Sequence, residues 1–224
     1  MRSSVVGQLI RKDLVLYWKP IFTATAAAAA ALALVLAGGE TPVFVGVILF
    51  FIALILAGHM LPLMGIANER KKQNLAFLMS LPISSIQYTT AKLISSLILF
   101  LIPWLTAVIV GVWIIDTRGI FPPGVLPDAL ILAFLPLLGF CLITGAVLVG
   151  ETEGWGIAAN VFCNIVYPFF WYFMLKVPAL MANVKSPTVV WNSASLTILA
   201  WEFALAPLML GLTYFIQSRK RDFV

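Results

Sequence analysis

The chain of 224 residues is 62% hydrophobic and only 10% charged, with a mean hydropathy of +1.06 and a formal net charge of +5. Soluble domains carry about 25% charged and about 45–50% apolar residues, and the excess here must face lipid. This composition excludes a cytosolic enzyme, a disulfide scaffold and a disordered tail. Cys141 and Cys163 lie within apolar runs, which predicts small packing residues rather than a disulfide or a metal site.

Six apolar runs are long enough to cross a hydrocarbon core, which needs roughly 20 residues. No period of 20–50 residues repeats along the chain, which favours one helical bundle over a repeat array. We therefore predict an all-α membrane protein whose residues 1–224 form a single transmembrane domain. The predicted spans are about 21–37, 43–67, 88–115, 129–149, 157–177 and 196–217.

The basic residues lie between the hydrophobic runs and therefore report topology rather than nucleic-acid binding. With the N-terminus in the cytoplasm, eleven of the 14 Lys and Arg residues fall on the inner side. We expect a multi-pass protein of the cytoplasmic (inner) membrane with both termini in the cytoplasm. The eleven are Arg2, Arg11, Lys12, Lys19, Arg70, Lys71, Lys72, Lys92, Arg219, Lys220 and Arg221, against Arg118, Lys176 and Lys185 outside.

Residues 3–19 precede the first span and have an apolar and a basic side on a helical wheel. This pattern predicts an amphipathic helix in the inner membrane interface, with its cations at the headgroups. Asp13 is the exception, because it falls on the apolar side. We expect Pro20 to end this helix and to turn the chain into the membrane.

The segment 68–84 joins the second and third spans on the inner side. It opens with a charged run over 69–72, continues with apolar residues at helical spacing and breaks at Pro82. Ser84 and Gln87 form a capping-box pattern that predicts the start of the next helix. A helix over 85–115 would be about 46 Å long at 1.5 Å per residue, so its first two turns should protrude or tilt. The segment is therefore expected to be a short helix rigidly joined to a span, the alternative being an ordinary basic loop.

The order of these features resembles the ABC-2 type of ABC-transporter permease. An interfacial basic helix and two spans precede an acidic-basic run, Leu-Pro-Ile-Ser and a Lys eight residues later. Where many members carry Gly-Thr/Ser-Leu-Glu, residues 73–76 read Gln-Asn-Leu-Ala. The positions that match the family pattern are Glu69, Leu78, Leu81, Pro82, Ile83, Ser84 and Lys92.

The resemblance implies a permease that pairs with a second copy, as a homodimer or with a sister chain, and binds cytosolic ABC ATPase subunits. ATP and Mg would be bound by the ATPase. This chain would bind no cofactor and catalyse no reaction, and its sequence carries no Gly-x4-Gly-Lys-Ser/Thr motif. The segment 68–84 would be the coupling helix, and the loop 150–156 a second inner contact. The residues assigned to coupling are Glu69, Arg70, Lys71, Lys72, Leu75, Leu78, Met79, Pro82, Ser84, Glu151 and Glu153.

Polar residues in the fifth span share one side of the helix. Asn160, Asn164, Tyr167 and Trp171 follow a spacing of i, i+4, i+7 and i+11. They could line a translocation path or a dimer seam. Alternatively, they form hydrogen bonds between helices, or Trp171 belongs to the aromatic belt.

Three further features of the spans are open to more than one interpretation. His59 could relay protons or contact substrate, but a hydrogen-bonded structural role is favoured. For Glu202, a position at the outer interface is favoured over an ion site. The outer segment 178–195 is too apolar for a free loop and too short to span, which predicts a re-entrant or interfacial hairpin.

We expect the chain to be the permease subunit of an ATP-driven exporter that moves an unidentified amphipathic substrate. An intramembrane enzyme is an alternative, although neither Gly-x-Ser-Gly nor His-Glu-x-x-His occurs in the sequence. A substrate-binding membrane subunit of an ATP-driven importer is another, but it has no need of a long charged loop after the second span.

Overall fold

A computed structural model describes residues 5–67, 84–150 and 152–220. These residues contain six long α-helices and no strand, and each helix is long and apolar enough to cross a membrane. The predicted all-α bundle is therefore confirmed. The helices are α1 (Val5–Ala37), α2 (Glu40–Pro62), α3 (Ser85–Thr117), α4 (Leu126–Gly150), α5 (Glu153–Met174) and α6 (Ser193–Arg219), with a π-helical turn (Leu63–Ala67), a 3-10 turn (Pro123–Val125) and a short helix (Pro178–Met181) between them.

Helix α1 does not end at Pro20, so the predicted break is wrong. The helix runs without interruption from Val5 to Ala37. Proline fixes φ near −65°, which a helix accepts, and membrane helices tolerate the lost backbone donor and the clash of the ring with the preceding turn. At 1.5 Å per residue, α1 is about 50 Å long and exceeds the ~30 Å hydrocarbon core. The interfacial position of residues 3–19 stays a prediction.

The bundle has two ends that the hydrogen bonds identify. At the end where α1 begins and α6 ends, here called the terminal face, Gln217 Nε2 donates to the carbonyl of Leu148 and Lys220 Nζ donates to that of Val149 at 2.8 Å. These carbonyls belong to the last turn of α4, whose backbone acceptors lack helical donors. At the other end, here called the opposite face, the Gly124 amide donates to the Ser186 carbonyl at 3.1 Å.

The core is organised around α4, which is the most buried of the six helices. In the middle of the bundle, Phe100 of α3 stacks on Phe140 of α4 with ring centroids 4.7 Å apart. Trp104 donates its indole N–H to the carbonyl of Ala133 at 2.7 Å. Cys141 and Cys163 are buried free thiols, as the sequence predicts.

Helices α1 and α2 pack closely through small residues. Ala28 and Ala31 are buried in a cluster with Phe50 and other residues of α2. A Cβ added at Gly46 would lie 2.8 Å from the Ala31 carbonyl oxygen. Because that contact is with backbone, the two helices would have to separate to admit a side chain.

Replacing Gly46 by alanine should therefore lower the thermal unfolding temperature in detergent, by the equivalent of about 1–3 kcal/mol of overpacking. Gly211 in α6 is the matched control, since a Cβ there meets nothing within 4 Å. Gly211→Ala should leave stability unchanged or raise it by up to about 1 kcal/mol through helix propensity. Equal effects of the two substitutions would contradict the close packing of α1 on α2.

Candidate coupling and translocation sites

Most of the residues predicted to couple the chain to an ATPase lie outside the described residues. These are Glu69, Arg70, Lys71, Lys72, Leu75, Leu78, Met79, Pro82 and Glu151. Their role stays a prediction. Of the same set, Ser84 and Glu153 are described, and each stands where a helix begins.

The predicted capping box at the start of α3 is confirmed. The backbone amide of Gln87 donates to Ser84 Oγ at 3.2 Å, and the backbone amide of Ser84 donates to Gln87 Oε1 at 3.0 Å. These reciprocal bonds satisfy backbone donors that a helix start leaves open. The third long helix thus begins sharply at Ser85, directly after the predicted coupling segment.

A buried ion pair lies close to this helix start. Lys92 Nζ of α3 is 3.0 and 2.9 Å from the two carboxylate oxygens of Asp13 in α1, and both side chains are at most 3% exposed. Ser95 Oγ donates to the same carboxylate at 3.0 Å. Lys92 also donates to the carbonyl of Gly65, in the π-helical turn after α2, at 3.2 Å. The cluster of Asp13, Gly65, Lys92 and Ser95, here called the ion-pair junction, joins three segments of the chain.

The junction accounts for two oddities of the sequence. Asp13 lies on the apolar side of α1 because that side faces α3. Lys92, expected among the inner flanking cations, is instead inside the protein. Buried charges are tolerated only when they are paired and their remaining hydrogen-bonding capacity is satisfied.

Removing one charge of the junction should be strongly destabilising. Lys92→Met removes the buried counter-ion of the Asp13 carboxylate and leaves the part-exposed Lys12, whose Nζ is 3.4 Å from Asp13 Oδ1, so we expect a loss of about 3–5 kcal/mol of unfolding free energy. The double variant Asp13→Leu/Lys92→Met should recover most of that loss. Lys19→Met, which removes an exposed cation from α1, should change little. A double variant no more stable than Lys92→Met would show that the two residues are not coupled.

A second polar cluster lies between α2, α4 and α5. His59 Nδ1 is 2.6 Å from Asn160 Oδ1, and His59 Nε2 is 2.9 Å from the Tyr167 hydroxyl. Because the amide oxygen is an acceptor, Nδ1 is the donor; a neutral ring then accepts at Nε2 from the hydroxyl. The Tyr167 hydroxyl oxygen also lies 3.2 Å from the carbonyl oxygen of Leu135. We call His59, Asn160 and Tyr167 the histidine cluster; it supports the structural role favoured for His59.

The predicted stripe of polar residues on α5 divides into two residues that face the bundle and two that are exposed. Asn160 and Tyr167 face the bundle, whereas Asn164 and Trp171 are exposed. Asn164 donates from Nδ2 to the Asn160 carbonyl at 2.8 Å and to Oδ1 at 3.0 Å, so it extends the histidine cluster to the surface. Trp171 makes no hydrogen bond to this cluster and lines an apolar cavity at the opposite face.

Sequence reasoning missed Gly139, which makes the histidine cluster possible. A Cβ at this position would overlap the Tyr167 hydroxyl and come within 2.8 Å of His59 Nε2. Only glycine lets the ring and the phenol approach α4 this closely. A glycine inside an otherwise apolar span was the one available signal.

Glu202 does not lie at the interface, so the favoured interpretation is wrong. It is 4% exposed, and neither of its carboxylate oxygens has a hydrogen-bond partner among the described residues. It belongs to the buried side of α6, which includes Ala206 in the middle of the core. Because this side faces α4, the carboxylate is held within the protein.

The comparisons with known proteins agree with the membrane architecture. Residues 8–219 match a family model described as ABC-2 family transporter protein. The comparisons with curated proteins and with solved structures gave no match. The family match covers all but the first residues of α1 and extends to the end of α6. The chain therefore belongs to the ABC-2 transporter family and is a membrane permease component of an ABC transporter.

Proposed function

We propose that the chain is the transmembrane subunit of an ATP-driven exporter and moves an amphipathic substrate out of the cytoplasm. A separate cytosolic ATPase binds ATP and Mg and drives the chain from the terminal face, which lies in the cytoplasm with both termini. The observation that carries this proposal is the ion-pair junction, which bonds Gly65, just before the predicted coupling segment in the chain, to Lys92, just after it.

The junction gives that segment a firm base. In the chain, the segment 68–84 follows the π-helical turn, which ends at Ala67, and its last residue, Ser84, caps α3. Gly65, near the first of these ends, is bonded to Lys92, which is two turns into α3. Asp13 adds α1 to the same unit. In this proposal, a displacement of the segment by the ATPase would therefore be transmitted to α1, α2 and α3 together.

The loop after α4 offers the second contact in this proposal. Near its start, the Thr152 backbone amide donates to the Gly150 carbonyl at 2.7 Å. Trp155, in the first turn of α5, is 61% exposed. The ends of α4 and α6 are bonded to each other beside it through Gln217 and Lys220. A contact at Glu153 and Trp155 would thus act on a second group of helices.

Helix α5 is the element best suited to form the dimer seam or the path. Its buried residues are Gly156, Cys163 and Met174, so most of its surface is free for other contacts. Asn164 is exposed about halfway along the helix. Polar side chains in a span almost always face protein or water rather than lipid. We therefore infer that this side of α5 meets a second permease copy or a sister chain.

Coupling can be tested by isolating the complex in mild detergent from the native host. The unmodified chain should retain an ATPase in a one-to-one ratio. Alanine at all four positions 69–72 should remove at least nine tenths of it, because the charged run would no longer bind the ATPase. The control replaces Arg118, Lys176 and Lys185 at the opposite face by alanine, and it should retain the ATPase.

Two outcomes would contradict coupling through this segment. One is an ATPase that stays bound to the 69–72 variant. The other is equal loss in both variants while their thermal unfolding is unchanged, which would indicate a general effect of positive charge.

The seam can be tested with a photoreactive amino acid at position 164 in native membranes. We expect an adduct with another permease chain, whether identical or not. The control position is Leu212 of α6, which is 51% exposed and should yield adducts with lipid alone. Adducts of lipid alone from position 164 would remove α5 from the seam.

A further inference from the structure

A partly open cavity of about 320 Å³ lies at the opposite face of the bundle. Its walls come from α1 to α4, from the end of α5 and from the segment that follows α5. The lining includes Phe51 of α2, Gly111 of α3, Leu132 of α4 and Trp171 of α5. Met181 comes from the segment that follows α5. The cavity shares no lining residue with the ion-pair junction or the histidine cluster, and Trp171 is its one residue from the predicted α5 stripe.

The lining determines what can occupy the cavity. Among the described residues that form it, Asp128 in the first turn of α4 is the one ionisable side chain, and nearly all the others are aliphatic or aromatic. A buried water needs two to four polar partners, which these walls do not supply. An unfilled space leaves the lining atoms without van der Waals partners. In a bilayer the available filler is hydrocarbon.

The volume of the cavity is large enough to hold a small apolar ligand. An engineered cavity of about 150 Å³ with comparable walls takes up benzene, and ligand pockets begin at about 300 Å³. Gly111 gives the clearest sign of free space, because a Cβ added there meets nothing within 4 Å although the residue lines the cavity.

The charges around the cavity point to the kind of molecule. Two lining residues, Leu175 and Val184, are followed directly in the chain by exposed lysines, Lys176 and Lys185. Asp128, a buried lining residue that is 9% exposed, places a carboxyl group at the same face. A zwitterionic phospholipid carries both signs in its head group and hydrocarbon below it.

We infer that this cavity binds an acyl chain of a zwitterionic phospholipid from the adjacent leaflet. The acyl chain fills the space between α1, α2, α3 and α4. The lipid head group stays at the surface near Lys176 and Lys185. The inference needs only the membrane position of the bundle, so it does not depend on coupling to an ATPase.

The test uses the full chain in native-like vesicles with phosphatidylethanolamine that carries a diazirine in one acyl chain. After photolysis, mass spectrometry measures labelling at Leu132, which lines the cavity, relative to Ile109, which is 65% exposed and does not line it. Gly111→Phe adds an aromatic ring at a lining position whose Cβ meets nothing within 4 Å, and the ring should occupy part of the cavity. Gly211→Phe is the control, since Gly211 is also unobstructed and does not line the cavity.

We expect the Leu132 to Ile109 labelling ratio to fall at least tenfold in Gly111→Phe and to be unchanged in Gly211→Phe. A ratio that Gly111→Phe leaves unchanged, while the variant unfolds at the usual temperature, would overturn the inference. So would labelling of Leu132 by a single-chain diazirine alcohol but not by the phospholipid, which would assign the cavity to another amphiphile.

Discussion

The ion pair between Asp13 and Lys92 is the constraint on which the terminal face of the bundle depends. Two charges are buried between α1 and α3, with Ser95 and the Gly65 carbonyl completing their hydrogen bonds. Burial makes the pair costly to break and also costly to shift, because any displacement exposes one charge to an apolar interior. The junction therefore fixes the geometry of the helices from which the predicted coupling segment emerges.

The rest of the fold follows from lipid as the solvent. On α6 the buried side carries Ser195, Glu202, Thr213 and Gln217, whereas Trp201 and Phe203 are exposed. Without a hydrophobic force between helices, close packing and hydrogen bonds hold them together. Gly46 at the α1–α2 contact and Gly139 beside the histidine cluster each allow such an approach. Large apolar side chains are thus left free to face lipid, a second copy or a bound acyl chain.

The sequence predicts the helices well because length and hydropathy alone decide whether a segment spans a membrane. The start of α3 is also predictable, since Ser84 and Gln87 bond within one turn. Contacts between distant residues are different. Asp13 and Lys92 are 79 positions apart, and only the misplaced carboxylate on the helical wheel hinted at a buried partner. His59 and Asn160 are likewise invisible as a pair, and the burial of Glu202 depends on how α6 is rotated against α4.

The most direct test of a rigid base for coupling is a pair of spin-label distances in the permease–ATPase complex, measured with and without ATP. Labels at Val15 of α1 and Ile86 of α3, both exposed, report on the two sides of the ion-pair junction, and a third label at Phe215 of α6 serves as the reference. We expect the distance from 15 to 86 to stay constant on ATP binding, while the distance from 86 to 215 changes. A change in the first distance would mean that the junction opens during the cycle and does not act as a rigid base.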